Sequence, residues 1–170
     1  MERIMPKSPV LSLADLPLDT LHDNARFTAR AAPFAAPLGA TRLGGRLVEV
    51  PAGKRAWPLH CHHANDEIFV ILAGRGTLRL GDGRFRVAAG DVAVCPAGGA
   101  ESAHQLINDG DEPLRYLAIS TMNAPDVMEY PDSGKFTVFA GAAPGGDKAK
   151  RSFHHIGHAA DACDYWEGEA

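Results

Sequence analysis

The chain has 170 residues, 45% of them apolar and 22% charged, and its 17 Lys and Arg against 21 Asp and Glu leave a net charge of −4. That length suits one domain with arms, and the apolar share is enough to build a core. An acidic balance without a basic segment excludes a binder of nucleic-acid backbone, and the most apolar run, IFVILAG (68–74), is far too short to cross a bilayer.

The chain opens with MERIMPKSPVLSLADLPLD, which lacks an apolar stretch followed by a small-residue cleavage site, so a cytoplasmic protein is expected. A short helix is expected around Ala14–His22, followed by an alanine- and proline-rich stretch. Seven short apolar runs then follow: GRLVEVPAG (45–53), EIFVILAGRG (67–76), GTLRLGDG (76–83), RFRVAAGD (84–91), DVAVCPAG (91–98), HQLIN (104–108) and LRYLAIST (114–121). Turn signals such as GDG (81–83), AGD (89–91) and NDGDEP (108–113) separate them, a rhythm that predicts an all-β sandwich or barrel. The runs around Phe69 and Val94 are apolar on both faces, which places them between two layers. GAAPGGDKAK (141–150) reads as a flexible linker, and the tail DYWEGE (164–169) carries Tyr165 and Trp166, aromatic rings expected to dock on a partner subunit or the barrel's own flank. The organisation expected is an arm over 1–40, a barrel core over 41–122 and an extension over 123–170, with no internal repeat. Cys61, Cys95 and Cys163 are odd in number and widely spaced, as reduced thiols are.

The chemistry concentrates in HCHHANDE, residues 60–67. On a helix, His60, His63 and Glu67 share one face; on a strand, His60 and His62 do. The neighbours decide. Pro51, Gly53 and Pro58 break any helix upstream, and Ile68, Phe69, Val70 and Ile71 favour a strand downstream. His60 and His62 therefore project together, Cys61 and His63 point away, and Glu67 returns on the next strand after a turn.

The segment Gly53–Gly74, spelled G-KRAWPL-H-C-H-HAND-E-IFVILA-G, resembles the first signature of the cupins, and Gly90-DVAVC-Pro96-A-Gly98-GAESA-His104-QLI-Asn108 resembles the second. Five residues, GAESA, separate Gly98 from His104 where the usual pattern has two, so this loop reshapes the approach to His104. AHQLIN, LRYLAIST, PDVMEYPDSGK and the terminal YWEGE are similar to a subgroup of small bacterial cupins labelled sugar-phosphate-isomerase-like. The resemblance implies a single-domain jelly-roll β-barrel and a divalent transition metal, Zn, Mn, Fe or Ni, held by His60, His62, Glu67 and His104. Neutral imidazoles with one carboxylate suit such ions, and an octahedral ion so held keeps two open positions. The centre stays net positive, which favours an anionic or polyoxygenated ligand.

Around that set, Arg55, Trp57, His63, Asn108 and Tyr116 are candidates for lining a substrate pocket, and Glu101 in the expanded loop is a candidate general base. Cys61 and Cys95 are expected to be buried thiols. FHHIGH (153–158) with Cys163 has no recognised ligand spacing and is expected to be solvated. Three functions fit: a metal-dependent enzyme on a small polar metabolite, an Fe- or Mn-dependent dioxygenase, and a non-catalytic module for a sugar or anion. Partners expected are a small molecule and, because sheet edges need cover, a second copy in a homodimer; nucleic acid and membrane are not expected.

Overall fold

The computed structural model describes residues 8–169. Its strands are β1 (Asp19–Asp23), β2 (Thr28–Pro33), β3 (Leu43–Val50), β4 (Cys61–His62), β5 (Glu67–Ala73), β6 (Arg75–Leu80), β7 (Gly83–Ala88), β8 (Val92–Cys95), β9 (His104–Ile107), β10 (Leu114–Thr121), β11 (Asp126–Tyr130), β12 (Lys135–Ala140) and β13 (Phe153–His158). The helical pieces among the described residues are single 3-10 turns. None is long and apolar enough to cross a membrane.

The strands form an all-β jelly-roll barrel. One layer has the order β1-β2-β3-β10-β5-β8, with antiparallel pairing throughout. The facing layer is built from β7-β6-β9 and β4-β11-β12-β13. A bridge joins these two pieces: His60 N–H donates to the His104 carbonyl at 3.2 Å, and His104 N–H donates to the His60 carbonyl at 2.8 Å. Two candidate ligands therefore sit on the seam that closes the barrel wall.

Period-2 alternation fills the interior. Val48, Tyr116 and Ile71 lie abreast across β3, β10 and β5, and all three are buried. Burying each such side chain stabilises the fold by roughly 1.5–3 kcal/mol. At the turn from β5 to β6, Gly74 takes φ +79°, and a β-carbon there would collide with the Pro113 carbonyl.

Four expectations are corrected. The helix around Ala14–His22 is one 3-10 turn, Leu13–Asp15, capped by Ser12. Pro17 lies just beyond it, and Asp19–Asp23 pairs with β2 instead. The strands around Phe69 and Val94 do not lie between two layers. Phe69 and Ile71 face inward, whereas Ile68, Leu72, Val92 and Val94 are exposed on the barrel's outside. Residues 141–150 are not a free linker: Ala143 is buried, and the Gly145 carbonyl accepts a hydrogen bond from Arg46 at 3.3 Å. Tyr165 and Trp166 do not dock on the barrel's flank; they stack edge-on against each other and are otherwise exposed.

Candidate metal centre

The turn HANDE is pinned from both sides, which fixes where Glu67 enters β5. Asn65 Oδ1 accepts from Asn123 N–H at 2.6 Å and from the Thr121 hydroxyl at 3.1 Å. Asp66 N–H donates to Thr121 Oγ1, and Asp66 Oδ1 accepts from Ala97 N–H at 2.8 Å. Such local ties are what short polar side chains offer a turn.

His60, His62 and His104 all turn Nε2 toward one carboxylate oxygen. From Glu67 Oε2 the distances are 3.7 Å to His60, 3.8 Å to His62 and 2.7 Å to His104. The opposite ring nitrogens are committed elsewhere. His60 Nδ1–H donates to the Pro58 carbonyl at 2.8 Å, His104 Nδ1–H to the Ser102 carbonyl at 3.2 Å, and His62 Nδ1–H to Asp126 Oδ2 at 2.7 Å. Carbonyl and carboxylate oxygens only accept, so each Nδ1 carries a hydrogen, and a ring without a second proton presents an Nε2 lone pair toward Glu67. Three lone pairs and a carboxylate thus converge with no donor among them unless a proton is taken up.

The three imidazoles are nearly inaccessible to solvent. Burial, reinforced by the charge on His104, lowers the pKa of His60 to about 4. Burial alone would raise Glu67 and lower His104. Their mutual hydrogen bond outweighs it, together with Cys95 beside His104, so the carboxylate is shifted down and the imidazole up. Glu67 and His104 therefore share one proton across their 2.7 Å contact. An ion would replace that proton. His60, His62 and Glu67 already offer ligand atoms within 4.8 Å of one another. His104 stands farther from His62, with ring centroids 6.3 Å apart, and joins through Glu67.

The cluster lies in a cavity of about 870 Å³. Phe69, Trp57, Tyr116 and Met128 line it beside the cluster, and Arg46, Lys150 and the 141–147 segment line it as well. Tyr116 packs edge-on against Phe69. Its hydroxyl has no hydrogen-bond partner among the described residues, and burial, with the charge of Glu67, pushes its pKa up, so it stays a donor.

Of the pocket candidates, Trp57 and Tyr116 line the cavity, and three do not. Arg55 pairs through its backbone with Phe27 and Ile107, near Arg26, Arg79 and Asp132. Asn108 is fully buried as a tie for the β9–β10 turn: its Nδ2 donates to the carbonyls of Val50 and Glu112, and its Oδ1 accepts from Gly110 N–H. His63 faces the outside of β4, with Nε2 2.6 Å from Glu129 Oε1. Glu101 is also outside the cavity, so it is not placed to act as a base there; the expanded loop folds into the 3-10 turn Ala100–Ser102, where its carboxylate accepts from Gly99 N–H. The extra residues leave His104 paired with His60. Residues 153–158 form β13 on the edge of the sheet, with His154 stacked on Phe139 and no metal-holding group there among the described residues. Cys61 and Cys95 are buried and Cys163 exposed, all three free.

Asp126 was not legible as a functional residue. It is 1% exposed, holds His62 through Oδ2 and accepts from Ala64 N–H at 2.9 Å through Oδ1. Its partner is 64 positions away, and no local motif marks it. A carboxylate behind a ligating imidazole fixes its tautomer and raises its basicity.

Residues 46–120 match the family described as Cupin domain. Over 71 residues the chain is 37% identical to an uncharacterized protein of Methanocaldococcus jannaschii, a match covering 42% of this chain and 54% of that one. The chain spans about half the length of the curated relatives it matches. A proposed sugar phosphate isomerase from Acidithiobacillus ferrooxidans superposes with a TM-score of 0.75 at 22% identity, covering 92% of this chain and 96% of that one. A sugar phosphate isomerase of the cupin superfamily from Silicibacter pomeroyi gives 0.73 at 20%, covering 91% and 95%. At those identities the likeness establishes the fold.

Proposed function

We propose, for a chain whose residues 46–120 match the Cupin domain family, that it is a metal-dependent enzyme acting on a small, polyoxygenated, anionic metabolite. The observation that carries this reading is the convergence of three imidazole lone pairs and one carboxylate within a cavity of about 870 Å³, a size that suits a small ligand. His60, His62, Glu67 and His104 hold one divalent ion, and the nitrogen-rich set suits Zn, Mn, Fe or Ni. Such an ion polarises a carbonyl or hydroxyl oxygen of the bound ligand. With only one carboxylate against two positive charges, the centre favours an anionic oxygen donor. Arg46 and Lys150 also line the cavity, but Asp19 and Asp147 line it with them and Asp147 pairs with Lys150 at 3.9 Å, so the preference for an anion rests on the ion. The Tyr116 hydroxyl donates a hydrogen bond to a ligand oxygen, while Phe69 and Trp57 limit water around it.

Sugar phosphates are the first substrate class to test, because two proteins of the same fold carry that activity in their names. The reaction is isomerisation of a hydroxy-carbonyl unit, in which a C–H proton moves by way of an exchangeable group. The test is incubation of the metal-loaded protein with sugar phosphates in D₂O, following deuterium in the substrate. Exchange at the carbon next to the carbonyl supports the reading. Metal-dependent oxygen uptake without exchange makes it a dioxygenase instead, and tight binding with neither makes it a non-catalytic receptor. The reading includes a homodimer formed over the bare outer face of Ile68, Leu72, Val92 and Val94. It also places the chain in the cytoplasm, where its three free thiols stay reduced.

A further inference from the structure

The alternation within HCHH separates two donor sets on opposite faces of one short strand. β4 turns His62 into the cavity and, by its period of two, turns Cys61 and His63 to the outside. There Glu129 of β11 lies directly opposite Cys61 in the antiparallel register. The Cys61 thiol, the His63 ring and the Glu129 carboxylate offer ligand atoms within 4.8 Å of one another, and none of them belongs to the inner cluster. Cys61 is buried beside Leu59 and Ala103, whereas the His63 and Glu129 side chains are 44% and 40% exposed. An ion can reach this site from solvent.

We propose that the outer face of β4 and β11 holds a second divalent ion, zinc by its donor chemistry, ligated by Cys61, His63 and Glu129. A thiolate, a neutral imidazole and a carboxylate neutralise a 2+ charge, so the complex carries no net charge against the barrel wall. Mixed sulfur, nitrogen and oxygen ligation is zinc chemistry, and a tetrahedral zinc holds its donor atoms roughly 3.3–3.8 Å apart. To reach that spacing the 2.6 Å contact between His63 and Glu129 opens, while the Cys61 thiol starts within 4.8 Å of both. The ion replaces the His63–Glu129 hydrogen bond, and the thiol proton leaves to solvent. Glu101, the carboxylate that does not reach the cavity, acts electrostatically on both Cys61 and His63. Burial first, and then the charges of Glu129, Glu101 and Asp126, resist thiolate formation in the free protein, and those same charges draw a cation to the place.

The second ion has a physical purpose. β4 is two residues long, and its register with β11 is two pairs, Met128 opposite His62 and Glu129 opposite Cys61, continued by the His63 N–H that donates to the Val127 carbonyl at 2.9 Å. Clamping Cys61 and His63 to Glu129 fixes the strand that presents His62 on its other side.

The test is cobalt titration of the metal-free Cys163→Ser protein, in which the exposed thiol is gone. Cobalt bound to Cys61 gives a thiolate-to-metal charge-transfer band and a second bound equivalent beyond that of the inner site. The band is expected to disappear in a His63→Ala, Glu129→Ala variant, whose changes fall on exposed side chains. It is expected to persist in His60→Ala, His104→Ala, which disables only the inner site. Absence of the band in Cys163→Ser, or its survival without His63 and Glu129, overturns the proposal.

Discussion

Replacing Asp126 by Asn tests how the site is oriented. The buried carboxylate accepts from His62 Nδ1–H at 2.7 Å and Ala64 N–H at 2.9 Å, and the Asn65 side chain bonds it as well. Asn is nearly isosteric but has one acceptor oxygen and one donor nitrogen. If its oxygen stays on Ala64, its NH₂ confronts His62 Nδ1–H, and the ring must move its proton to Nε2, the atom that would face the ion. If the oxygen turns to His62, a buried backbone N–H is left without a partner, at a cost of about 1–3 kcal/mol to the fold. Loss of such a partner behind a ligand weakens metal binding by about 10–100-fold, equivalent to about 1.4–2.7 kcal/mol at 1.36 kcal/mol per tenfold. Competition against a chromophoric chelator reads the affinity, and thermal melting of the metal-free variant reads the stability. The reasoning is refuted if Asp126→Asn binds metal within twofold of the parent and melts at the same temperature.

The metal-free chain should be most stable near pH 6.5. The folded pKa of His60 is depressed from 6.5 to about 4, so the unfolded chain takes up the proton first on acidification, and stability falls between those values by up to about 3 kcal/mol. His104 is raised toward about 10, so its contribution is fully present below pH 6.5 and is lost as pH rises through the folded value. Urea melts of the metal-free protein across pH 4–10 check both arms, and a monotonic profile would contradict them. Tyr116→Phe should retain metal but weaken a sugar phosphate or inhibitor by about tenfold, the loss of one hydrogen bond, measured by calorimetry on the loaded protein. Val92→Lys with Val94→Lys should leave the melting temperature nearly unchanged and convert a dimer to a monomer in sedimentation, because both side chains are exposed in the single chain.

What was legible in the sequence follows from how locally each feature is written. The seven runs between Gly45 and Thr121 are short, apolar and set off by turn residues, and each became a strand. The choice of strand at residues 60–62 rested on Pro58 and on the β-branched run after Glu67, and it correctly separated His60 and His62 from Cys61 and His63. β2 was hidden because half of Thr28–Pro33 is alanine, which advertises neither strand nor burial, and β1 because DTLHD is mostly polar. The outer apolar face was misread as buried, since apolar residues on both sides of a strand do not say whether the second cover is the same chain. Asp126 and the segment over the cavity were invisible for another reason: each acts on residues far away in sequence, through contacts that only the closed barrel creates.

The most direct measurement is anomalous diffraction from crystals of the metal-loaded protein, collected at the absorption edge of the bound metal. The account predicts a peak in the cavity roughly 2.0–2.2 Å from Nε2 of His60, His62 and His104 and from a Glu67 carboxylate oxygen. A fully loaded crystal with no peak among those four side chains would contradict it.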